Sequence, residues 1–517
     1  MKIPKKLRLI HPFLFAIYPV LLLFSQNVQY TSLSDILIPA GVIVGLTGLL
    51  LLLLGWRLNS FEKAGAITSI SLVFFFFYGY IVNAIEIVMP SYLLHFYLLP
   101  VWGLMYVLAI YMVLRKQSNL RNLTSFLNIV IVVLVIASLI NIGVATRNTG
   151  SSLIENRLGA IASESGEEKE GSRDIYYIVL ERYGATSTLK ELYDYDNEEF
   201  LSYLSEKGFY VASRSRANYL KTGHSLASSL NLEYINYLAD EVENHDDWKP
   251  IYQMLEDYEV WRFLKAKGYD FVHLGGWWEP TRENQYADVS LDFVGLSEFS
   301  SVLISTTAID PILSELNIGP SDRKALYYES ELMRFKTLSR IPGNKGPTFT
   351  FAHMYMAHEP FVFDRNCEYL SAEEESSRCF RENYIDSLIC TNKMVKKLTD
   401  EILSQYTSDN DPIIIIQGDE GPFPKRYRED ELFFDWEKEA TEVELKQKLR
   451  ILNAYYLPGV EGTDLYPSIT PVNTFRVVFN HYFGTDLEFL PDRSYAFKDG
   501  EHIYDFFDVT EIVRTDE

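Results

Sequence analysis

The stretch Pro412–Pro424, PIIIIQGDEGPFP, carries four consecutive isoleucines into Asp419 and Glu420 and then into a Gly-Pro turn. An unbroken β-branched run without polar alternation reads as a strand buried on both faces, as in parallel sheets covered by helices. Two adjacent carboxylates at its tip are either a solvated strand end or a seat for a cation. The surrounding sequence decides which.

Strand-like and helix-like stretches alternate around this run. DIYYIVLERYG (174–184) and PTFTFAHMYMAHEP (347–360) are apolar runs that end in polar residues. EEFLSYLSEKGFYV (198–211) and VWRFLKAKGYDFVHLG (260–275) each read as an amphipathic helix, a glycine stop and a strand. ENYIDSLICTNKMVKKLTDEILSQY (382–406) keeps helical spacing throughout, and LNAYYLPG (452–459) is a further strand. The pattern predicts an external α/β domain with a mainly parallel sheet sandwiched by helices. Such sheets place their sites at the carboxyl ends of strands. That rule selects Glu181, His358, Asp419 and Glu420. His353 lies inside a strand and reads as a core histidine.

The 517 residues divide sharply by charge. Residues 1–146 hold nine Lys or Arg and three acids, a net of +6, which leaves 38 basic and 67 acidic residues, a net of −29, for the rest. An acidic domain of that kind repels phosphate backbones, so nucleic acid is excluded as a partner. The N-terminal part contains five apolar stretches, roughly Pro12–Ser25, Ile36–Trp56, Ala64–Ile85, Tyr92–Leu114 and Phe126–Val144. They read as transmembrane helices. The Lys2–Arg8 cluster, Arg57/Lys63 and Arg115/Lys116/Arg121 fall on one side of the successive spans, which predicts a cytoplasmic N-terminus and an external C-terminal part. The expected organisation is a five-span membrane domain over 1–146, a Ser/Gly/Glu-rich linker over 147–173, and an external domain over 174–517.

Three cysteines, Cys367, Cys379 and Cys390, lie in the external part. Cys367 and Cys379 flank an acidic loop and could close it as a disulfide, while Cys390 sits mid-helix and reads as a buried thiol. None has metal-site spacing.

Glu181, Asp419 and Glu420 held together would repel one another unless a cation neutralised them. Oxygen ligands suit Mn²⁺, Mg²⁺ or Ca²⁺, with Zn²⁺ admissible. A metal beside a hydroxyl makes it a nucleophile. NYLKTGHSLASSLN (218–231) supplies Thr222 near the start of a helix, where free N–H groups can hold a phosphate. His358 would then bind a transferring oxygen or protonate a leaving group. Trp277, Trp278 and Arg282 in HLGGWWEPTREN could bind a sugar or phosphate, and His224 could line the same pocket. For each of these a plain structural role is the competing reading.

The order of these motifs resembles the alkaline phosphatase/sulfatase superfamily, in particular membrane-bound bacterial sulfatase-like proteins of the lipoteichoic acid synthase type. IYYIVLE matches the first motif and implies a metal ligand at Glu181. NYLKTGHSLASSLN matches the nucleophile segment at Thr222, which would also touch the metal. AHEPFVFD places His358 at a substrate phosphate, and the late Asp-His pair falls on Asp419 and Glu420. Here glutamate stands where that pair usually has histidine. The nucleophile position lacks the Cys/Ser context of formylglycine sulfatases, and the ligands of a second metal are not evident. The resemblance implies a membrane-anchored, single-metal phosphoryl-group transferase or hydrolase acting on phospholipid, lipid-linked or envelope-glycan substrates at the cell membrane. Glu420 makes the alternative a catalytically silent relative that binds envelope glycan or lipid.

Overall fold

The computed structural model describes residues 9–28, 31, 33–86, 91–116, 120–147, 173–293, 297–315, 323–341, 346–407, 410–460 and 464–514. Most of the expected linker lies outside these residues. The chain forms two compact units, one of Met1–Thr149 with Leu296–Arg323, the other of Gly150–Gly295 with Lys324–Glu517.

The first unit is helical: α1 (His11–Gln26), α2 (Leu33–Leu58), α3 (Phe61–Phe76), α4 (Tyr78–Glu86), α5 (Ser91–Arg115) and α6 (Arg121–Arg147). Three stretches are long and apolar enough to cross a membrane, Asp35–Leu58, Leu94–Arg115 and Arg121–Val144. Their outward faces carry exposed Leu46, Leu52, Met112, Ile129 and Ile140, as hydrocarbon-facing helices do. α1 is apolar but only 16 residues long. The third expected span is divided, because α3 ends at Phe76 and α4 starts at Tyr78. The break is stabilised by a segment the sequence reading assigned to the external domain. Leu296–Arg323 carries two short helices, Glu298–Ser305 and Asp310–Glu315, and packs within the membrane unit.

The second unit is built on a sheet of order β2-β7-β6-β1-β5-β3-β4. Its strands are β1 (Ile175–Leu180), β2 (Tyr210–Val211), β3 (Asp270–Leu274), β4 (Val289–Leu291), β5 (Thr348–Met354), β6 (Ile413–Gly418) and β7 (Asn453–Tyr456). β6, β1, β5, β3 and β4 run parallel, and β7 and β2 add an antiparallel edge. β1, β5 and β6 are buried along their whole length. Alternate residues feed two apolar clusters. Ile175, Tyr177 and Val179 face Leu226, Ala227 and Leu230 on one side, and Tyr176, Ile178 and Leu180 face Leu388, Val395 and Leu398 on the other. Helices therefore cover both faces, which is why these strands are continuously hydrophobic. Burying each isoleucine of β6 contributes about 1.5–3 kcal/mol before conformational entropy is charged against it.

The cysteine pairing differs from the expectation. Cys367 is bonded to Cys390, and Cys379 is exposed and free. Cys390 lies on the buried face of the helix Phe380–Leu403, where its Cα comes within 5.1 Å of that of Cys367. Cys379 sits instead at the solvent-facing start of that helix, as its N-cap.

Candidate metal centre

β1 is the middle strand of the seven-stranded sheet, and its two neighbours fix the site. Leu180 pairs with Gly418 of β6, so the next residues, Glu181 and Asp419, emerge side by side. Val179 pairs with His353 of β5. Because side chains alternate with period two, Val179, Glu181, His353 and Asp419 share one sheet face. The helix Thr222–Asn231 packs on that same face through Leu226, Ala227 and Leu230.

The result is a compact buried group. One ligand atom from each of Glu181, His353 and Asp419 lies within 4.8 Å of the others. His353 Nε2 is 2.9 Å from Glu181 Oε2, and the Thr222 hydroxyl donates to Glu181 Oε1 at 3.2 Å. Asp419 Oδ1 accepts from the Arg182 N–H at 3.0 Å, while Asp419 Oδ2 is buried with no hydrogen-bond partner. Burial, and then the charge of Glu420, raises Glu181 to about 7. Burial, and then Glu181, raises Asp419 to about 7. Burial lowers His353 to about 4 and keeps its imidazole neutral, as a metal ligand requires. Arg182 Nε lies 3.7 Å from Glu181 Oε1 and offsets part of this charge, and the two carboxylates, a neutral imidazole and an unpartnered Asp419 oxygen form a donor set that could hold a divalent cation.

His353 is also oriented from behind. Its Nδ1 lies 2.8 Å from Tyr355 Oη and 3.0 Å from Thr281 Oγ1, and its carbonyl accepts from Arg334 at 2.7 Å. An imidazole that offers Nε2 to a cation carries its proton on Nδ1, and both hydroxyls stand ready to accept it. The sequence reading of His353 as a core histidine agrees with its burial but did not place it beside Glu181 and Asp419, where it is a candidate ligand. The available signal was a second histidine five residues before His358, at the end of the same apolar run.

Glu420 departs from the expected ligand set. It is not among the three residues whose ligand atoms converge; its carboxylate pairs with buried Lys448 at 2.6 Å and with Arg182 Nε at 3.5 Å, across that guanidinium from Glu181. Lys448 lies over the Phe423 ring at 3.8 Å, and burial pulls its ammonium down to about 8 despite Glu420. Sequence reading did not single out Arg182 or Lys448. Arg182 adopts a positive φ of 56° directly after Glu181, and its guanidinium stacks on Phe423 at 3.5 Å.

The remaining candidates separate. Thr222 is the first residue of its helix and is 8% exposed, with Lys221 as the N-cap, so the hydroxyl is directed at Glu181 and not spent on capping. His358 is half-buried and its ring lies 5.1 Å from that of Trp277, which also packs on Tyr355. Trp278 sits 6.3 Å from His353 and edge-on to Tyr252. Arg282 is held by Asp292 at 2.6 Å, with Glu279 nearby, so carboxylates of its own loop occupy its charge. His224 does not line a pocket. Two residues along a helix is a rotation of about 200°, which carries it into the core between Trp248, Phe497 and Phe506. There burial lowers it to about 3.

No family model and no curated protein matches the chain. Solved structures similar to it include the lipooligosaccharide phosphoethanolamine transferase A of Neisseria meningitidis, 12% identical, over 91% of this chain and 94% of that one, with a TM-score of 0.37. The lipoteichoic acid synthase LtaP of Listeria monocytogenes is 12% identical over 69% of this chain and 86% of its own, with a TM-score of 0.39. A protein of the alkaline phosphatase superfamily from Vibrio parahaemolyticus is 11% identical over 64% of this chain and 74% of its own, with a TM-score of 0.36.

Proposed function

We propose that the second unit is a metal-dependent phosphoryl-group transferase of the cell envelope, with Thr222 as nucleophile and Glu181, His353 and Asp419 as the residues that hold the metal. One observation carries this reading: the Thr222 hydroxyl donates to Glu181 Oε1 within the same buried group whose Asp419 Oδ2 has no partner. The ordered motifs in the sequence support it.

A bound divalent ion would supply positive charge for a phosphate oxygen and acidify the threonine hydroxyl. The imidazole in the donor set favours Zn²⁺ or Mn²⁺ over Ca²⁺. The chain's own groups do the rest. Glu181 directs the Thr222 proton away from Oγ1, which forms the new bond to phosphorus as the bond to the leaving oxygen breaks. His358, half-buried and packed against Trp277, is the residue we assign to a phosphate oxygen, and burial holds its imidazole neutral. Arg182 and Lys448 add fixed positive charge beside the centre and offset Glu420. Transfer of the phosphoryl group from Thr222 to an acceptor hydroxyl or water completes the cycle.

The membrane helices and the acidic second unit support an external, membrane-anchored enzyme acting on lipid-linked or glycan substrates. The deciding experiment incubates the purified full chain with Mn²⁺ or Zn²⁺ and a phospholipid donor, then reads the intact mass for an adduct on Thr222. A second reading, a silent binding protein, is favoured by the commitment of Glu420 to Lys448. It requires that no adduct form and that lipid or glycan still bind.

A further inference from the structure

The divided span creates a requirement of its own. A helix break inside a membrane unit frees backbone groups that hydrocarbon cannot satisfy. The inserted segment satisfies two of them. Ala308 N–H donates to the Phe75 carbonyl at 2.7 Å, and Gly79 N–H donates to the Thr306 carbonyl at 2.9 Å. A Cβ on Gly79 would lie 2.5 Å from Thr306 Cα, so a side chain there would push the segment away. Phe299 and Leu303 pack beside it with Val20, Leu23, Phe24 and Phe76. The segment is thereby fixed against the apolar helices.

Beside this joint, α2, α3 and α5 leave a groove of about 650 Å³. Ile43, Leu46, Leu72 and Trp102 line it, and Ala308 and Ile312 of the inserted segment complete its wall. Two of its polar groups are engaged, Trp102 Nε1 donating to the Phe74 carbonyl at 2.8 Å and Ser71 Oγ meeting Tyr106 Oη at 2.9 Å, while the Thr47 hydroxyl on the same wall is buried without a partner. Gly103 faces open space, since a Cβ there would meet nothing within 4 Å, so a larger side chain at that position would enter the groove. The flanking helices α2 and α5 both contain stretches long and apolar enough to cross a membrane, so the groove opens to hydrocarbon.

We infer that this groove binds one acyl chain of a membrane phospholipid, held between α2 and α5 against Ala308 and Ile312. The lining carries no charged side chain and a single unengaged hydroxyl, that of Thr47, so it offers no seat for a charged headgroup and suits methylenes. A helix from a second copy fits poorly, because a cylinder of about 10 Å diameter fills that volume in roughly one and a half turns. The bound chain would contact the inserted segment directly and so help to hold it on the broken span.

The test reconstitutes the full chain in phosphatidylcholine vesicles containing a phosphatidylcholine with a diazirine on one acyl chain. After irradiation, labelled peptides are mapped by mass spectrometry. Label should concentrate on Trp102–Tyr106 and Ala308–Ile312, and Gly103→Leu should remove it while exposed Ile129 and Ile136 of α6 keep their background labelling. Ile312→Trp, which fills the groove from the other wall, should do the same, and it guards against a folding defect peculiar to Gly103→Leu. Label spread evenly over the groove and α6 would overturn the inference, as would groove label that survives both substitutions. Cross-linking between two copies through the groove would overturn it as well.

Discussion

His353 Nε2 lies 2.9 Å from Glu181 Oε2, joining the tips of two adjacent parallel strands. With Asp419 on the same face, this pair makes the strand-end carboxylate part of a candidate ligand set. If the reading is correct, His353→Ala abolishes high-affinity Mn²⁺ or Zn²⁺ binding measured by calorimetry. Tyr355→Phe combined with Thr281→Val removes the Nδ1 acceptors, and affinity should fall about 10–100-fold, as for other outer-shell partners. Unchanged affinity in His353→Ala would remove this histidine from the centre.

The Glu420–Lys448 pair is buried, with the two side chains 1% and 0% exposed. Lys448→Met leaves a carboxylate without its nearest cation and should cost about 3–5 kcal/mol in urea unfolding of the apo protein. Lys448→Met with Glu420→Gln should recover most of that loss. Equal losses in the single and double variants would mean the two side chains do not act as a pair.

The Cys367–Cys390 bond closes a loop across the start of the helix Phe380–Leu403. Peptide mapping without reductant should find this linkage and a free Cys379. Replacing both bonded cysteines by serine should cost about 2–4 kcal/mol, whereas Cys379→Ser should be nearly silent. A Cys367–Cys379 linkage would contradict the structure.

The one-sided Lys/Arg distribution implies that the second unit is external. A reporter that is active only outside the cytoplasm, fused after Leu490, should be active. A cytoplasmically active fusion at the same point would contradict that topology.

The sequence made the sheet legible because β1, β5 and β6 are covered on both faces and cannot alternate. Glu181 and Asp419 were legible for the same reason, since each is the first charged residue after an apolar run. His353 was hidden because its role depends on the register between β1 and β5, which no single strand carries. The pairing of Glu420 was hidden because its partner Lys448 lies 28 positions away. The joint between α3, α4 and Leu296–Arg323 was equally invisible, since an apolar run does not show where its hydrogen-bond ladder breaks. His224 shows the converse error: nearness in sequence to Thr222 placed it in the site, and helix geometry carried it into the core.

Thr222 tests the central claim most directly. Its hydroxyl donates to Glu181 and does not cap the helix, because Lys221 holds the N-cap position, so Thr222→Ala should leave the fold nearly unchanged.

 The measurement is intact-mass analysis of the full chain after incubation with Mn²⁺ or Zn²⁺ and a phospholipid donor, followed by peptide mapping. The account predicts a phosphoryl-containing adduct on Thr222 that needs the metal, disappears in Thr222→Ala, and persists at a reduced level in Thr222→Ser. A wild-type chain that turns over the donor with no adduct on Thr222, or a Thr222→Ala chain that turns it over at the parent rate, would contradict it.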